Sequence, residues 1–237
     1  AQRQIVERYS LAQEEAFDPA LRSNGAIVKQ ADGKTLHVRR GSPEYFFGEG
    51  LIPRDAAAEW LQSEEEKGHR VLGVSYDDGT GAHFGGFVSF VDRIKDSTIA
   101  TVAAAKHMNV AITVITGDAL KVAEAVGREA GLVTESAEVT EAAAFLTLPQ
   151  AERKKRLSSI RVFARTTPEQ KLELIQLLKE QFTVGYLGEG INDAPALKAA
   201  HVSMVVQSAA DVARETADIV LLQNDLRVIV EGIRFGR

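Results

Sequence analysis

Cysteine is absent from the 237 residues, so neither a disulfide nor thiol chemistry is open to this chain. No stretch approaches the ~18 consecutive apolar residues that a bilayer-spanning helix needs, and no signal-peptide pattern is present. A cationic excess is missing too. Lys and Arg total 28 against 33 Asp and Glu, a net charge of −5 with both signs interspersed, which argues against a nucleic-acid footprint. Histidines 37, 69, 83, 107 and 201 show no metal-ligand spacing and read as ordinary surface or hinge-region residues. What is there is a hydrophobic content of 45%, enough for a true core in one large or two small domains.

Residues 1–85 are polar and broken by turns. Ile27–Gln30 and Leu36–Val38 flank Ala31-Asp32-Gly33, a hairpin signal. Glu59–Lys67 reads as a charged helix stopped at Gly68, with Trp60 as an anchor in a small core. Residues 70–76 and 84–91 read as strands, and a domain boundary is expected near residue 85. Beyond it, apolar strands at 86–91, 110–115, 160–164, 183–187, 202–206 and 218–222 alternate with helices at 96–107, 118–130, 168–181, 193–200 and 209–216. That alternation predicts an α/β fold: a doubly wound, mostly parallel sheet (86–237) beside a smaller α+β domain (1–85). The Glu- and Ala-rich segment 133–158 reads as helical and peripheral.

Residues 187–200, Leu-Gly-Glu-Gly-Ile-Asn-Asp-Ala-Pro-Ala-Leu-Lys-Ala-Ala, carry the most chemistry. They follow the buried-strand pattern Thr183–Leu187, and a Gly-Glu-Gly turn at a strand's carboxyl end lets backbone approach a ligand closely. Glu189 and Asp193 are hard oxygen donors of the type Mg²⁺ takes beside a phosphate; equally, Asp193 and Pro195 suit a helix start. Thr116-Gly117-Asp118 also follows a strand end. It suits phosphate binding at a helix N-terminus, or simple capping by Asp118. Thr167–Gln170 is a capping box with Pro168 at the first helical position. Lys171 follows in the first turn, where a cation opposes the helix dipole. All these segments are expected on one rim of the sheet.

The 187–200 segment resembles the hinge motif Gly-Asp-Gly-x-Asn-Asp-Ala-Pro-Ala-Leu-Lys of P-type cation-transporting ATPases, which share the haloacid dehalogenase fold. Other pieces follow in that family's order: Arg40-Gly41-Ser42-Pro43-Glu44, Gly68–Leu72, a weak echo in Asp92–Lys95, Ile115–Asp118, Phe163–Lys171 and Asp211–Leu222. Gly232–Arg237 resembles the run-up to the family's next membrane helix. The phosphorylated aspartate of the family lies in Asp-Lys-Thr-Gly-Thr, and no such string occurs here; Asp32-Gly33-Lys34-Thr35 reads as a hairpin tip.

The resemblance implies a part of a nucleotide-binding domain followed by a phosphorylation domain without its first strand and nucleophile. It implies ATP held by Phe17, Arg22, Arg40, Gly41 and Arg70, with Phe17 stacking on adenine, Arg40 beside the base and Arg70 reaching the phosphates. It further implies phosphoryl contacts from Thr116, Gly117, Asp118, Lys171 and Asn192, and Mg²⁺ at Glu189 and Asp193. Bland alternatives stay open for Phe17 and Arg22, a core ring and a solvated cation. Three positions depart from the family pattern: Glu189 stands for Asp, Arg40 for Lys and Asn24 for Met.

The function the resemblance implies is that of a cytosolic catalytic fragment of an ATP-driven cation pump, at the membrane's cytosolic face. Its partners would be ATP, the parent's membrane helices and the transported cation; the compact first domain and Phe17-Asp18-Pro19 weakly resemble proton and magnesium pumps. A soluble haloacid dehalogenase-type phosphatase and a non-catalytic nucleotide-binding module are the alternatives. Release of phosphate from p-nitrophenyl phosphate marks the first, and binding of ATP without turnover the second.

Overall fold

The computed structural model describes residues 8–18, 20–91 and 93–236. Pro19, Asp92 and Arg237, which contribute to three of the weaker resemblances, lie outside the described residues. The chain divides into two units, Ala1–Asp92 and Arg93–Arg237.

The first unit is an antiparallel sheet of five strands in sequence order: β1 (Tyr9–Asp18), β2 (Ser23–Gln30), β3 (Thr35–Gly41), β4 (Arg70–Asp77) and β5 (Ala82–Phe90). The expected hairpin is β2–β3, closed by the Gln30 N–H on the Lys34 carbonyl at 2.8 Å. Between β3 and β4 lie helices α1 (Pro43–Gly48) and α2 (Ala58–Glu66). Of residues 86–91, read as the first strand of the parallel domain, 86–90 instead end β5 and pair with β4, Val88 opposite Leu72 and Phe90 opposite Arg70. Gly85-Gly86 has the look of a break in the sequence, but in the fold it sits at a bulge within one continuous strand.

Helix α1 drives Phe46 onto the sheet, where it is fully buried. A Cβ on Gly73 of β4 would lie 2.4 Å from the Phe46 ring, so the ring occupies the space a side chain would take. Tyr45 and Phe84 meet Phe46 edge-on at 5.1 and 5.7 Å, and Trp60 of α2 stacks on Phe87 at 6.1 Å.

Glu64, on the same helix as Trp60, is buried among donors. Lys67 Nζ and His69 Nδ1 each lie 2.8 Å from its carboxylate, and the Ser89 hydroxyl donates to it. The Lys67, Ser89 and His69 hydrogen bonds, in that order of weight, hold its carboxyl at about 2, against an ordinary value of 4.5. A depressed carboxyl contributes stability that is fully present above its unfolded value and is lost as pH falls through the folded one. The single Trp makes this readable. Stability followed by Trp60 fluorescence should fall between pH 4.5 and 2, and Glu64→Gln should be less stable at pH 7 but lose less than the wild type across that window. A variant as steep as the wild type would remove Glu64 from the account.

The second unit holds two three-stranded parallel sheets. Helix α3 (Asp96–His107) leads into β6 (Val114–Ile115), α4 (Leu120–Glu129), β7 (Val139–Glu141), α5 (Ala142–Leu146), α6 (Gln150–Arg156) and β8 (Val162–Ala164). These strands form one sheet in the order β6-β8-β7. Helix α7 (Pro168–Lys179), β9 (Gly185–Gly188), α8 (Ala194–Ala199), β10 (Val202–Val206), α9 (Asp211–Thr216), β11 (Ile219–Leu221) and α10 (Arg227–Phe235) follow. Their strands form the second sheet, β11-β10-β9. The α/β class and parallel pairing are as expected, but the single expected sheet is two, with β6 and β9 as end strands. The two share a core, because Ile115 of β6 and Leu178 of α7 pack against the buried clusters of both.

Segment 133–158 is a correction. It contributes β7, and Ala142, Phe145 and Leu157 are buried against Phe163 and Leu174, so it is core rather than periphery. Among the described residues no helix is long and apolar enough to cross a membrane.

Candidate functional site

In the second unit the site is built where strands end. The Thr116 N–H donates to the Phe163 carbonyl (2.9 Å), which extends the β6–β8 pairing, and the Thr166 N–H donates to the Thr116 carbonyl (3.0 Å). The next residue, Thr167, is the N-cap of α7. Its hydroxyl accepts from Gln170 N–H (3.3 Å) while Gln170 Oε1 accepts from Thr167 N–H (3.0 Å), the expected capping box, with Pro168 at the first turn. This cap places Lys171 one turn away from Thr116's strand end.

Lys171 does not point into bulk water. Its Nζ donates to Asp193 Oδ1 at 2.7 Å, and the two side chains are only 18% and 13% exposed. The Tyr186 hydroxyl donates to the same oxygen at 3.0 Å. Asp193 Oδ2 accepts from the Gly190 and Glu189 N–H groups at 3.1 and 3.2 Å. Four donors therefore hold one carboxylate. Burial pushes the Asp193 carboxyl up, but Lys171 and the Gly190 and Glu189 amides outweigh it and keep it below its ordinary range. Burial, followed by the Asp193 charge, pushes the Tyr186 hydroxyl well above its usual value.

Asp193 stands at the N-cap position of α8, as the sequence suggests, but its side chain makes no cap hydrogen bond. It turns back to close the 188–193 loop. Gly188 permits this, since a Cβ there would lie 2.8 Å from Asp193 Cβ. The Glu189 side chain is exposed, as is Asn192. The Glu189 carbonyl accepts from Ala210 N–H at 3.0 Å, which ties the loop to the start of α9. Thr116 Oγ1 donates to Asp118 Oδ2 (2.8 Å) and accepts from Asp118 N–H (3.1 Å). Asp118 is not an N-cap; Ala119 holds that position at α4. A Cβ on Gly117 would meet nothing nearer than the Thr166 carbonyl at 3.8 Å, so that turn is open.

The chain thus brings Lys171, Asp193 and the Glu189–Gly190 backbone into direct contact, with Thr116 joined to Lys171 through Thr166 and Thr167. The two carboxylates differ. Asp193 has both oxygens occupied by protein donors, whereas Glu189 is exposed. Among the described residues no group of three or more His, Asp or Glu side chains could by itself hold a metal ion. A Mg²⁺ with one protein carboxylate takes its remaining oxygens from a phosphate and water; that donor set suits Glu189 and does not suit Asp193 as it is bonded here. Tyr186 is the residue sequence reasoning passed over. The signal was a phenol in the otherwise aliphatic and glycine run 184–188.

In the first unit the expected ligand residues gather at one end of the sheet. Asp18 pairs with Ser23, Ser23 with Gly41, and Gly41 with Gly73. Phe17 is 60% exposed, which removes the core-ring alternative. Arg22 is exposed in the β1–β2 turn at φ 51°, and its carbonyl accepts from Ser42 N–H at 3.0 Å. Arg40 Nε donates to Asn24 Oδ1 at 2.8 Å, directly across the β2–β3 ladder. Arg70 opens β4 three residues beyond Gly73, at the same sheet end, and is exposed.

Residues 2–201 match the family of haloacid dehalogenase-like hydrolases. The chain belongs to this family. It is 40% identical over 165 residues to the magnesium-transporting ATPase, P-type 1, of Salmonella typhimurium LT2, a match covering 69% of this chain and 18% of that protein. The Escherichia coli K12 protein of the same name is 34% identical over 218 residues, 92% of this chain and 23% of its own length. The plasma membrane ATPase of Kluyveromyces lactis is 30% identical over 242 residues, 97% of this chain and 27% of its own length. The chain therefore spans roughly a quarter or less of these relatives. The resemblance drawn from the 187–200 motif is borne out.

Proposed function

We propose that this chain is the catalytic part of an ATP-driven cation pump on the cytosolic side of a membrane. On this reading residues 1–92 are part of a nucleotide-binding domain that holds ATP. Residues 93–237 are a phosphorylation domain that directs the γ-phosphoryl group to an aspartate outside the sequence given. The observation that carries the reading is the Lys171–Asp193 contact beside the Thr116 turn, at the ends of two parallel sheets whose open strands, β6 and β9, share a core. One further parallel strand between β6 and β9 would join the sheets and carry the acceptor aspartate to that rim.

The contacts support a division of labour. The Lys171 ammonium, held by Asp193, supplies a fixed positive charge next to the transferred group. The Gly117 amide, in the open turn, supplies a hydrogen bond where a phosphoryl oxygen would lie; Thr116 Oγ1 and the Asp118 amide, bonded to one another in this structure, would join it by exchanging that bond for one to phosphate, and Asn192 is exposed. Asp193 positions Lys171 and the loop. Glu189 would hold Mg²⁺, which when bound neutralises phosphate charge. Phosphoryl transfer needs positioning and charge stabilisation above all, and these residues supply both. The parent's membrane helices would take the transported cation.

Glu189 carries one methylene more than the Asp of the family motif. Glu189→Asp should raise Mg²⁺ affinity about tenfold in the presence of phosphate, the scale on which misplaced ligand shells act. Calorimetric titration reads it, and an unchanged affinity would take Glu189 out of the metal site. The reading as a whole is tested by calorimetry with ATP and by incubation with p-nitrophenyl phosphate and Mg²⁺. ATP binding without phosphate release is expected. Sustained Mg²⁺-dependent release would instead favour a free-standing phosphatase.

A further inference from the structure

Two departures from the family motif meet each other in the fold. Asn24 and Arg40 are direct partners in the β2–β3 ladder, and Arg40 Nε donates to Asn24 Oδ1 at 2.8 Å. The pairing of β1 with β2 slips at the same level. Glu15 pairs with Gly25 and Asp18 with Ser23, so two residues of β1, Ala16 and Phe17, face the single residue Asn24. Phe17, Asn24 and Arg40 therefore form one transverse row at the end of three strands. The row holds an exposed phenyl ring, an amide and a guanidinium.

An unrestrained arginine on a strand end samples many rotamers. Here the Nε bond fixes the guanidinium plane and leaves both Nη groups unspent by Asn24. A planar cation fixed in the same row as an exposed aromatic ring suits a flat, electron-rich heterocycle. The amide nitrogen of Asn24, with two N–H donors, then faces acceptors on the heterocycle's edge. We propose that Asn24 is a positioning residue that orients Arg40 against the base of a purine nucleotide, so that Asn24 and Arg40 act as one coupled unit in base recognition. The proposal rests on the nucleotide-binding reading above, in which Phe17 and Arg40 already meet the base, and adds to it Asn24 as the residue that orients Arg40.

The coupling is measurable on the whole chain. Titrations with ATP and with tripolyphosphate, which has no base, are compared for the wild type, Asn24→Met, Arg40→Lys and the double variant, with Tm recorded for each. Loss of one hydrogen bond that orients a charged group should weaken ATP binding by about five- to tenfold in Asn24→Met. Tripolyphosphate binding and Tm should stay unchanged. The double variant should bind ATP no worse than the weaker single variant, because each change removes the same unit. Wild-type ATP binding with an unaffected Asn24→Met, with additive losses, or with equal loss of tripolyphosphate, overturns the coupling while leaving the nucleotide reading intact. A wild-type chain that binds no ATP overturns both.

Discussion

Lys171→Met should destabilise the second unit by about 3 kcal/mol, the low end of the cost of breaking a buried ion pair. The variant keeps the methylene stem and removes only the ammonium. Asp193 would then keep its burial and lose its strongest donor, retaining only the Tyr186 hydroxyl and two amides. Its carboxyl would rise, because the group that offsets burial is gone. The expected signature is therefore a stability loss that shrinks as pH falls and the carboxylate protonates. Asp193→Asn combined with Lys171→Met should be less destabilised than Lys171→Met alone, since no uncompensated charge remains. Urea unfolding followed by circular dichroism at several pH values measures both effects. A loss under about 1 kcal/mol, the range of a surface pair, would mean that the contact is not what holds the loop.

Gly73→Ala should cost about 3 kcal/mol in the first unit, at the upper end of ordinary overpacking. The added Cβ would come within 2.4 and 2.5 Å of two Phe46 ring carbons. Phe46 is fully buried and hemmed by Tyr45 and Phe84, so the ring has no free direction to move in. Alanine suits a strand at least as well as glycine, so backbone preference would predict a gain instead. The sign of the effect separates the two causes. Phe46→Leu placed on top of Gly73→Ala should recover part of the loss, and Trp60 fluorescence reads it because Trp60 packs in the same cluster through Phe87. A neutral or stabilising Gly73→Ala would show that α1 can shift away from the sheet.

Where the chain's local signals are strong, they are also sufficient. Helix α3 spans Asp96–His107 as expected, because an uninterrupted Ala-rich run begins at an acidic residue and stops at Asn109, which adopts φ 55°. The Thr167–Gln170 box fixes the start of α7 in the same way. The strand β7 was not legible. Three residues, Val139-Thr140-Glu141, are too few to show a period, and their burial depends on β8 beside them. Within the site, the 187–200 loop announces its chemistry through Gly, Glu, Asn and Asp, but not which carboxylate is free. That depends on Lys171, 22 residues earlier, and on Tyr186, whose hydroxyl reaches Asp193 only once the loop has folded back. The Asn24–Arg40 bond is invisible for the same reason, since strand register alone brings together residues 16 apart.

The most direct test of the central claim joins this chain to a strand ending in Asp-Lys-Thr-Gly-Thr and exposes it to ATP labelled in the γ-phosphate, with Mg²⁺ present. The joined protein should acquire a hydroxylamine-sensitive acyl-phosphate on the added aspartate, and Lys171→Met should abolish the label. The chain by itself should acquire none. Label on the unjoined chain, or a joined protein that labels equally well without the Lys171 ammonium, would contradict the account.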